Sequence, residues 1–546
     1  MSSELDLLTV TAKSSLSEIL RKFQESSKDL IVLDERTVIT KPHLELLTDY
    51  PRSTTAALVA ITKNGNTLVR QNRVASASST SHRVTIGNRD FVGAIRLSQR
   101  QREAIVSTLD NAITAGAKGN ALDLLLVALV RATIKVDAVD VLGAPWSRSD
   151  DLNERERVKR EIFALNEARL RLKMANRSND GFFSVFFLRK FSKILTWVAV
   201  KIKATPNQVT LLSFAIGLYS AFCFSRGTFT SILLGAILLQ VSIIVDCVDG
   251  ELARYTRQFS KLGAWLDAVT DRVKEYMVFM GLAYGAALEG KNLWIPAMAM
   301  MAIQTFRHLS DYNFAQSVKN RAEEKFVDPV EFMADFDGIV PNEREPKGRL
   351  RYWLGKIIQF PIGERWLVIS ASAVIGGAQF TFIAMPILAF ISALVVYRGR
   401  IIRTRQLERS PIKSNLIINQ SDLLGIKRTF MSRASWIEPS LLRALEMLIL
   451  ITAFAHFEVL GVASFILLFA IIFHHYDNLY RSLQNENKPR WLSAMGLYVG
   501  GRVLVIGVAL ILGWDLSPLA WYFSLLFLGI SSIQWVGEHR QNRINK

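Results

Sequence analysis

Residues 229–288 contain two apolar runs suited to lipid, and between them the chain reads DCVDGELARYTRQFSKLGAWLDAVTD (246–271). No other stretch narrows the fold as much. Asp246, Asp249, Asp267 and Asp271 fall at the ends of two membrane helices, where a charge is expensive to keep. Asp246 and Asp249 are three apart, and Asp267 and Asp271 four apart. On a helix both spacings put side chains on one face, so each pair converges. Both pairs are expected on the same membrane side. Four facing carboxylates repel unless a cation sits among them, and an all-oxygen set favours hard divalent ions, Mg2+ or Mn2+ as substitute. Four carboxylates are enough for two ions, about 3.5–4 Å apart in two-metal sites, which would clamp a pyrophosphate for in-line attack at phosphorus. The residues between the pairs fit that use. Gly250 lets a ligand approach the backbone, Ala253 leaves room, Arg254 can fork onto a phosphate oxygen, and Gly263 opens space one turn before Asp267.

The rest of the chain predicts a mainly α-helical polytopic membrane protein with an N-terminal α/β soluble domain. Half of the 546 residues are hydrophobic, and the apolar ones concentrate beyond residue 180. Spans are expected at 209–225, 229–246, 268–288, 292–312, 366–383 and 384–400, a six-helix core. About four more follow near 440–456, 458–474, 492–513 and 517–536. The net charge of +18 raises nucleic acid as a partner, but the basic residues cluster beside apolar runs, as in cytoplasmic loops of membrane proteins. Nucleic acid is therefore not expected. RGRIIRTRQLER, NENKPRW and GEHRQNRINK put both termini and the aspartates on the cytoplasmic side of a cell (plasma or inner) membrane. MSSELDLLTV shows no cleaved signal peptide, and two cysteines, Cys223 and Cys247, supply neither a disulfide framework nor a cysteine zinc site.

The expected divisions are a cytoplasmic α/β domain at 1–180, an amphipathic juxtamembrane helix at 181–204, a membrane core at 205–405, a cytoplasmic linker at 406–435 and a C-terminal membrane extension at 436–546. In the first, LIVLD (30–34) and AALVAI (56–61) read as buried strands, 97–116 and LDLLLVALV as helices, IKVDAVDVLG as a strand, and QNRVASASSTSHR (71–83) as a loop. This domain shows no nucleotide-binding loop. In GFFSVFFLRKFSKILTWVAVKIK (181–203), five Arg and Lys residues interleave with aromatics, the pattern of a helix lying on an anionic membrane face. The stretch 316–364 reads as a polar cytoplasmic insertion.

The pattern D-x-x-D-G-x-x-A-R, eight residues, then G-x-x-x-D-x-x-x-D resembles the signature of the CDP-alcohol phosphotransferases. It is carried here by Asp246, Asp249, Gly250, Ala253, Arg254, Gly263, Asp267 and Asp271, and TPNQVT (205–210) resembles the family's lead-in. The resemblance covers roughly 180–400. It implies that Asp246, Asp249, Asp267 and Asp271 hold two metal ions and that Asp271 is also the general base. Gly250, Ala253, Arg254 and Asp249 would contact the CDP moiety. It implies a membrane enzyme of phospholipid biosynthesis that transfers a phospho-alcohol, usually phosphatidyl, group from a CDP-alcohol donor to a polar alcohol acceptor and releases CMP. The family often dimerises through its membrane helices, so a homodimer is one expectation. A soluble CDP-polyol donor such as CDP-inositol is the alternative, and a non-catalytic scaffold or cation transporter is the reading from another class. The soluble domain before a charged helix resembles the layout of bifunctional inositol-phosphate cytidylyltransferase synthases, although their Gly-rich, Arg-containing loop is missing.

An acceptor pocket is expected to draw on TFRHLSDYNF (305–314), with Arg307, His308 and Asp311, and on Arg398, Arg400 and Arg403, which equally serve as flanking charge. In HHYDNLYR (474–481), adjacent His474 and His475 point apart on a helix. Joint metal ligation is not expected, and the cluster, with Asp477 and Arg481, reads first as an interfacial anchor.

Overall fold

The computed structural model describes residues 5–49, 55–70, 73–80, 82–175, 181–324, 346–406, 410–411, 431–433, 435–483 and 490–544. The chain divides into two compact units, Met1–Ala175 and Asn176–Lys546.

The first unit is an α/β domain built on one mixed sheet. Its strands are β1 (Leu5–Val10), β2 (Asp29–Asp34), β3 (Thr55–Ile61), β4 (Thr67–Arg70), β5 (Arg73–Ala77), β6 (Arg89–Leu97) and β7 (Val136–Asp140). They lie in the order β1-β2-β6-β3-β7-β5-β4. Helices Leu16–Glu25, Arg102–Thr114 and Ala121–Arg131 bury one face against Leu30, Val32, Ala57 and Ile95. Leu47, on the helix Lys41–Asp49, packs on the other face against Ile31, Ala56 and Leu58. Covered on both faces, β2 and β3 read as continuous apolar runs, which made them visible in the sequence. β5 was not visible. It lies within the stretch expected as a loop, yet pairs antiparallel with β4 and buries Val74 and Ala77. Its remaining residues are Arg, Ala and Ser, so β-propensity is weak there and pairing supplies the strand.

The second unit is helical. Its first elements are α1 (Arg189–Lys201), α2 (Pro206–Ser225), α3 (Phe229–Thr256), α4 (Lys261–Leu288) and α5 (Trp294–Glu324). They are followed by α6 (Pro346–Ile358), α7 (Ile362–Gln406), α8 (Glu438–His456) and α9 (Val462–Leu483). Two further spans, Trp491–Ile511 and Ser517–Gly537, close the chain. Among the described residues seven helices are long and apolar enough to cross a membrane, so this is a multi-pass membrane protein. The helices α4 and α5, expected as spans, are as long but fall outside that set. Charge explains it for α4, which carries Asp267, Asp271, Arg272, Lys274 and Glu275.

The helix α7 leaves helical geometry at Gly376 and Gly377 (φ −141° and +68°), so the division expected at 383–384 falls earlier, where the Gly pair permits a turn. The helix α5 continues to Glu324, past the expected end at 312, because Phe314, Ser317, Val318 and Arg321 are buried. The insertion expected at 316–364 is thus partly helix, and its residues 325–345 lie outside the described residues. So do residues 412–430 of the expected linker. The helices α2 and α4 approach closely: a Cβ on Gly281 would stand 2.3 Å from the Ala221 carbonyl oxygen.

Candidate functional site

The helices α3 and α4 form a hairpin. After α3, Arg257 adopts a left-handed conformation (φ 59°), and Ser260 caps α4 by accepting a hydrogen bond from the Gly263 amide at 2.9 Å. Both aspartate pairs therefore sit on continuous helix, near its ends. One carboxylate oxygen from each of Asp246, Asp267 and Asp271 lies within 4.8 Å of the others. All three residues are half-buried. Oxygens around a Mg2+ ion at about 2.1 Å lie about 3–4.2 Å apart, so the three stand near the spacing that one divalent ion requires. Asp271 Oδ1 is buried, with the Lys274 ammonium 3.1 Å from it.

Asp249 stands differently. It is buried, and its Oδ2 accepts a hydrogen bond from Thr210 Oγ1 at 2.5 Å. Beside it Gly250 faces Arg254, whose Nη1 would lie 3.3 Å from an added Cβ. Ala253 and Arg254 are half-buried on the same turn. The lead-in TPNQVT now has structural roles. Thr205 and Gln208 form a capping box at the start of α2, and Pro206 occupies its first turn. Asn207 reaches Gly263, where a Cβ would stand 2.9 Å from its Oδ1.

Three partners of this site escaped the sequence reading. The first is Lys274, fully buried on α4, whose Nζ lies 2.6 Å from Asp246 Oδ1, 2.9 Å from Ser213 Oγ and 3.1 Å from Asp271 Oδ1. The contact with Asp271 is an ion pair out of hydrogen-bonding alignment. Its signal was present: Lys274 follows Asp271 by three, the same-face spacing used for the aspartates. The second is Ser213, which also donates to Asp246 Oδ1 at 3.0 Å. The third is Glu251, which lies inside the motif but faces away from the aspartates. Its Oε1 accepts from Arg189 Nη1 at 2.7 Å and Ser192 Oγ at 2.8 Å, and its Oε2 from Thr196 Oγ1 at 2.7 Å. The helix α1 is docked by that carboxylate, while Phe191, Ile194 and Trp197 on it remain exposed.

Next to the aspartates, buried Glu275 takes a two-point contact from Arg365, 2.9 Å at each oxygen, and a longer one of 3.4 Å from Arg272. Of the expected acceptor residues, Arg307 donates to the Gln359 carbonyl, Asp311 pairs with Arg400, and His308 Nδ1 lies 3.0 Å from Tyr476 Oη. The interfacial reading of 474–481 is overturned. His474, His475, Asp477 and Arg481 are all buried, because helix neighbours supply partners. His475 Nε2 meets Glu446 at 2.9 Å, and Asp477 holds Arg481 at 3.0 Å and Ser531 Oγ at 2.6 Å.

Residues 203–340 match the family CDP-alcohol phosphatidyltransferase, and residues 371–542 match a family of unknown function. Similar curated proteins include a "Bifunctional IPC transferase and DIPP synthase" of Thermococcus kodakarensis, 34% identical over 171 residues, 31% of this chain and 36% of the relative. A protein of the same name from Archaeoglobus fulgidus is 37% identical over 172 residues, 32% of this chain and 31% of the relative. A phosphatidylinositol phosphate synthase of Streptomyces avermitilis is 32% identical over 117 residues, 21% of this chain and 47% of the relative. The chain spans about a third of the length of the first two relatives.

Proposed function

We propose, from the CDP-alcohol phosphatidyltransferase domain that residues 203–340 carry, that this protein transfers a phospho-alcohol group from a CDP-alcohol to a hydroxyl acceptor and releases CMP. The observation that carries the reading is the convergence of Asp246, Asp267 and Asp271 within 4.8 Å, with Asp249, Gly250 and Arg254 beside them. The three carboxylates would hold divalent metal, Mg2+ or Mn2+. When bound, the metal supplies charge neutralisation and Lewis acidity at the pyrophosphate. Gly250, Ala253 and Arg254 would receive the CDP moiety, Arg254 gripping a phosphate oxygen. Asp249, held by Thr210, would also contact the CDP moiety. Asp271 would take the proton of the acceptor hydroxyl as its oxygen bonds to the β-phosphorus and the bond from that phosphorus to the CMP oxygen breaks. The active site and both termini are placed on the cytoplasmic side, a reading supported by the basic loops.

The relatives named phosphatidylinositol phosphate synthase favour a phosphatidyl donor with an inositol-phosphate-type acceptor. Those named IPC transferase and DIPP synthase favour the second reading, a soluble CDP-polyol donor. Either acceptor phosphate would find a charge match in Arg272 and Arg365, which share the carboxylate of Glu275, with Arg307 near them. Incubating the purified protein with Mg2+, a panel of CDP-alcohols and hydroxyl acceptors, and weighing the products by mass spectrometry, tests both readings. CMP should appear with one donor class, and Asp271→Asn should lower its release by about 100-fold or more. A scaffold or transporter would release no CMP with any donor.

A further inference from the structure

We infer that Lys274 is a built-in cation of the carboxylate cluster and that the site therefore takes one divalent ion, not two. The inference rests on the reading of the cluster as a divalent-metal site and concerns how the chain itself charges it. Lys274 projects from α4 one turn beyond Asp271, and its ammonium stands between Asp246 and Asp271, 2.6 Å and 3.1 Å from an Oδ1 of each. A second ion sharing Asp246 and Asp271 would have to occupy that position.

The seat is shaped for the lysine. A Cβ on Gly217 of α2 would lie 2.6 Å from both Cγ and Cδ of Lys274, so the stem runs through the gap that this glycine leaves. Ser213, one turn earlier on α2, accepts from Nζ at 2.9 Å. It is itself tied to α3, where the Ser242 Oγ donates to the Ser213 carbonyl at 2.8 Å. Trp366 places its ring 5.2 Å from Nζ. Four groups, Ser213 of α2, Asp246 of α3, Asp271 of α4 and Trp366 of α7, thus enclose one ammonium, and a fully buried lysine keeps its charge only with such partners.

Charge balance leads to the same count. Lys274 and one divalent ion bring three positive charges to four carboxylates, leaving the cluster near neutral for an incoming pyrophosphate. Asp249, the carboxylate outside the converging three, is engaged by Thr210.

The test counts ions. The full-length protein in detergent is stripped with chelator and titrated with Mn2+, and bound ions are counted from loss of the free-ion electron paramagnetic resonance signal. Wild type should bind one Mn2+ per chain. Lys274→Met should bind two, the first at least about tenfold more tightly, since a neighbouring positive charge has been removed. Two ions in wild type, or one ion at unchanged affinity in Lys274→Met, overturns the inference. If Lys274→Met does not fold, Gly217→Ala supplies the same readout: its methyl group displaces the lysine stem, and a second ion should enter, whereas a count of one overturns the inference. The count needs no donor or acceptor. A chain that binds one ion with this lysine dependence but releases no CMP from any donor sinks the proposed function and leaves this inference standing. A chain that binds no Mn2+ sinks the inference by itself.

Discussion

Arg189 and Glu251 form a buried ion pair, Nη1 to Oε1 at 2.7 Å, that joins the amphipathic helix α1 to the middle of the aspartate motif. Glu251 lies two residues after Asp249, so the contact to α1 and the aspartate motif share one turn of α3. Removing one member of a buried pair costs about 3–5 kcal/mol. Glu251→Ala, which takes away the common acceptor of Arg189, Ser192 and Thr196, should lower the melting temperature of the purified protein. Glu251→Gln, which keeps the shape and an acceptor oxygen, should lose less. An unchanged melting temperature in Glu251→Ala would mean that α1 is not held by this carboxylate.

Thr210 orients Asp249 through a hydrogen bond to a charged group, worth about 1.5–3 kcal/mol. Thr210→Val keeps the side-chain shape and should lower CMP release by about ten- to a hundredfold while leaving the number of bound Mn2+ ions unchanged. A changed ion count would place Asp249 among the metal-holding groups.

Asp477 links the C-terminal helices to the hairpin that carries the aspartates. It accepts from Trp265 Nε1 at 3.3 Å, and Trp265 precedes Asp267 by two residues. Asp477→Ala should destabilise the protein by about 3 kcal/mol or more through loss of the buried partner of Arg481. The loss should appear as faster hydrogen exchange in peptides covering 261–271 as well as 474–483. Protection confined to its wild-type value over 261–271 would show that the extension does not steady the hairpin.

In the α/β domain two buried groups set a pH limit. Burial holds the His43 imidazole below its usual value, with Val141 accepting from the ring at 2.9 Å. The folded His43 is therefore neutral, and its contribution is present above the unfolded value near 6.5 and declines as pH falls below it. Burial pushes the Asp34 carboxyl up, but hydrogen bonds from Arg36 and the charge of Arg148 outweigh it and hold the carboxyl below the usual range. Its contribution is present above about pH 3.9 and is lost as pH falls further through the folded value. Protection factors of sheet amides, corrected for intrinsic exchange, should fall in two stages on acidification. His43→Gln should remove the upper one, and a persistent upper stage would assign it elsewhere.

The sequence alone determined the helical character of the second unit, the α/β character of the first, and the facing of Asp267 with Asp271. These depend on apolar run length and on residue spacing along one helix, both local properties of the chain. Glu251 and Lys274 have the same local visibility, but their roles depend on which neighbouring helix fills the space beside them. The residues 474–481 show the limit most plainly. Two histidines, an aspartate and an arginine read as a surface by polarity, and only packing against Glu446, Ser531 and Trp265 turned them into an interior. The tertiary structure also separated Asp249 from the other three aspartates and put an ammonium among them, because a carboxylate takes whichever donor the adjoining helices bring within reach.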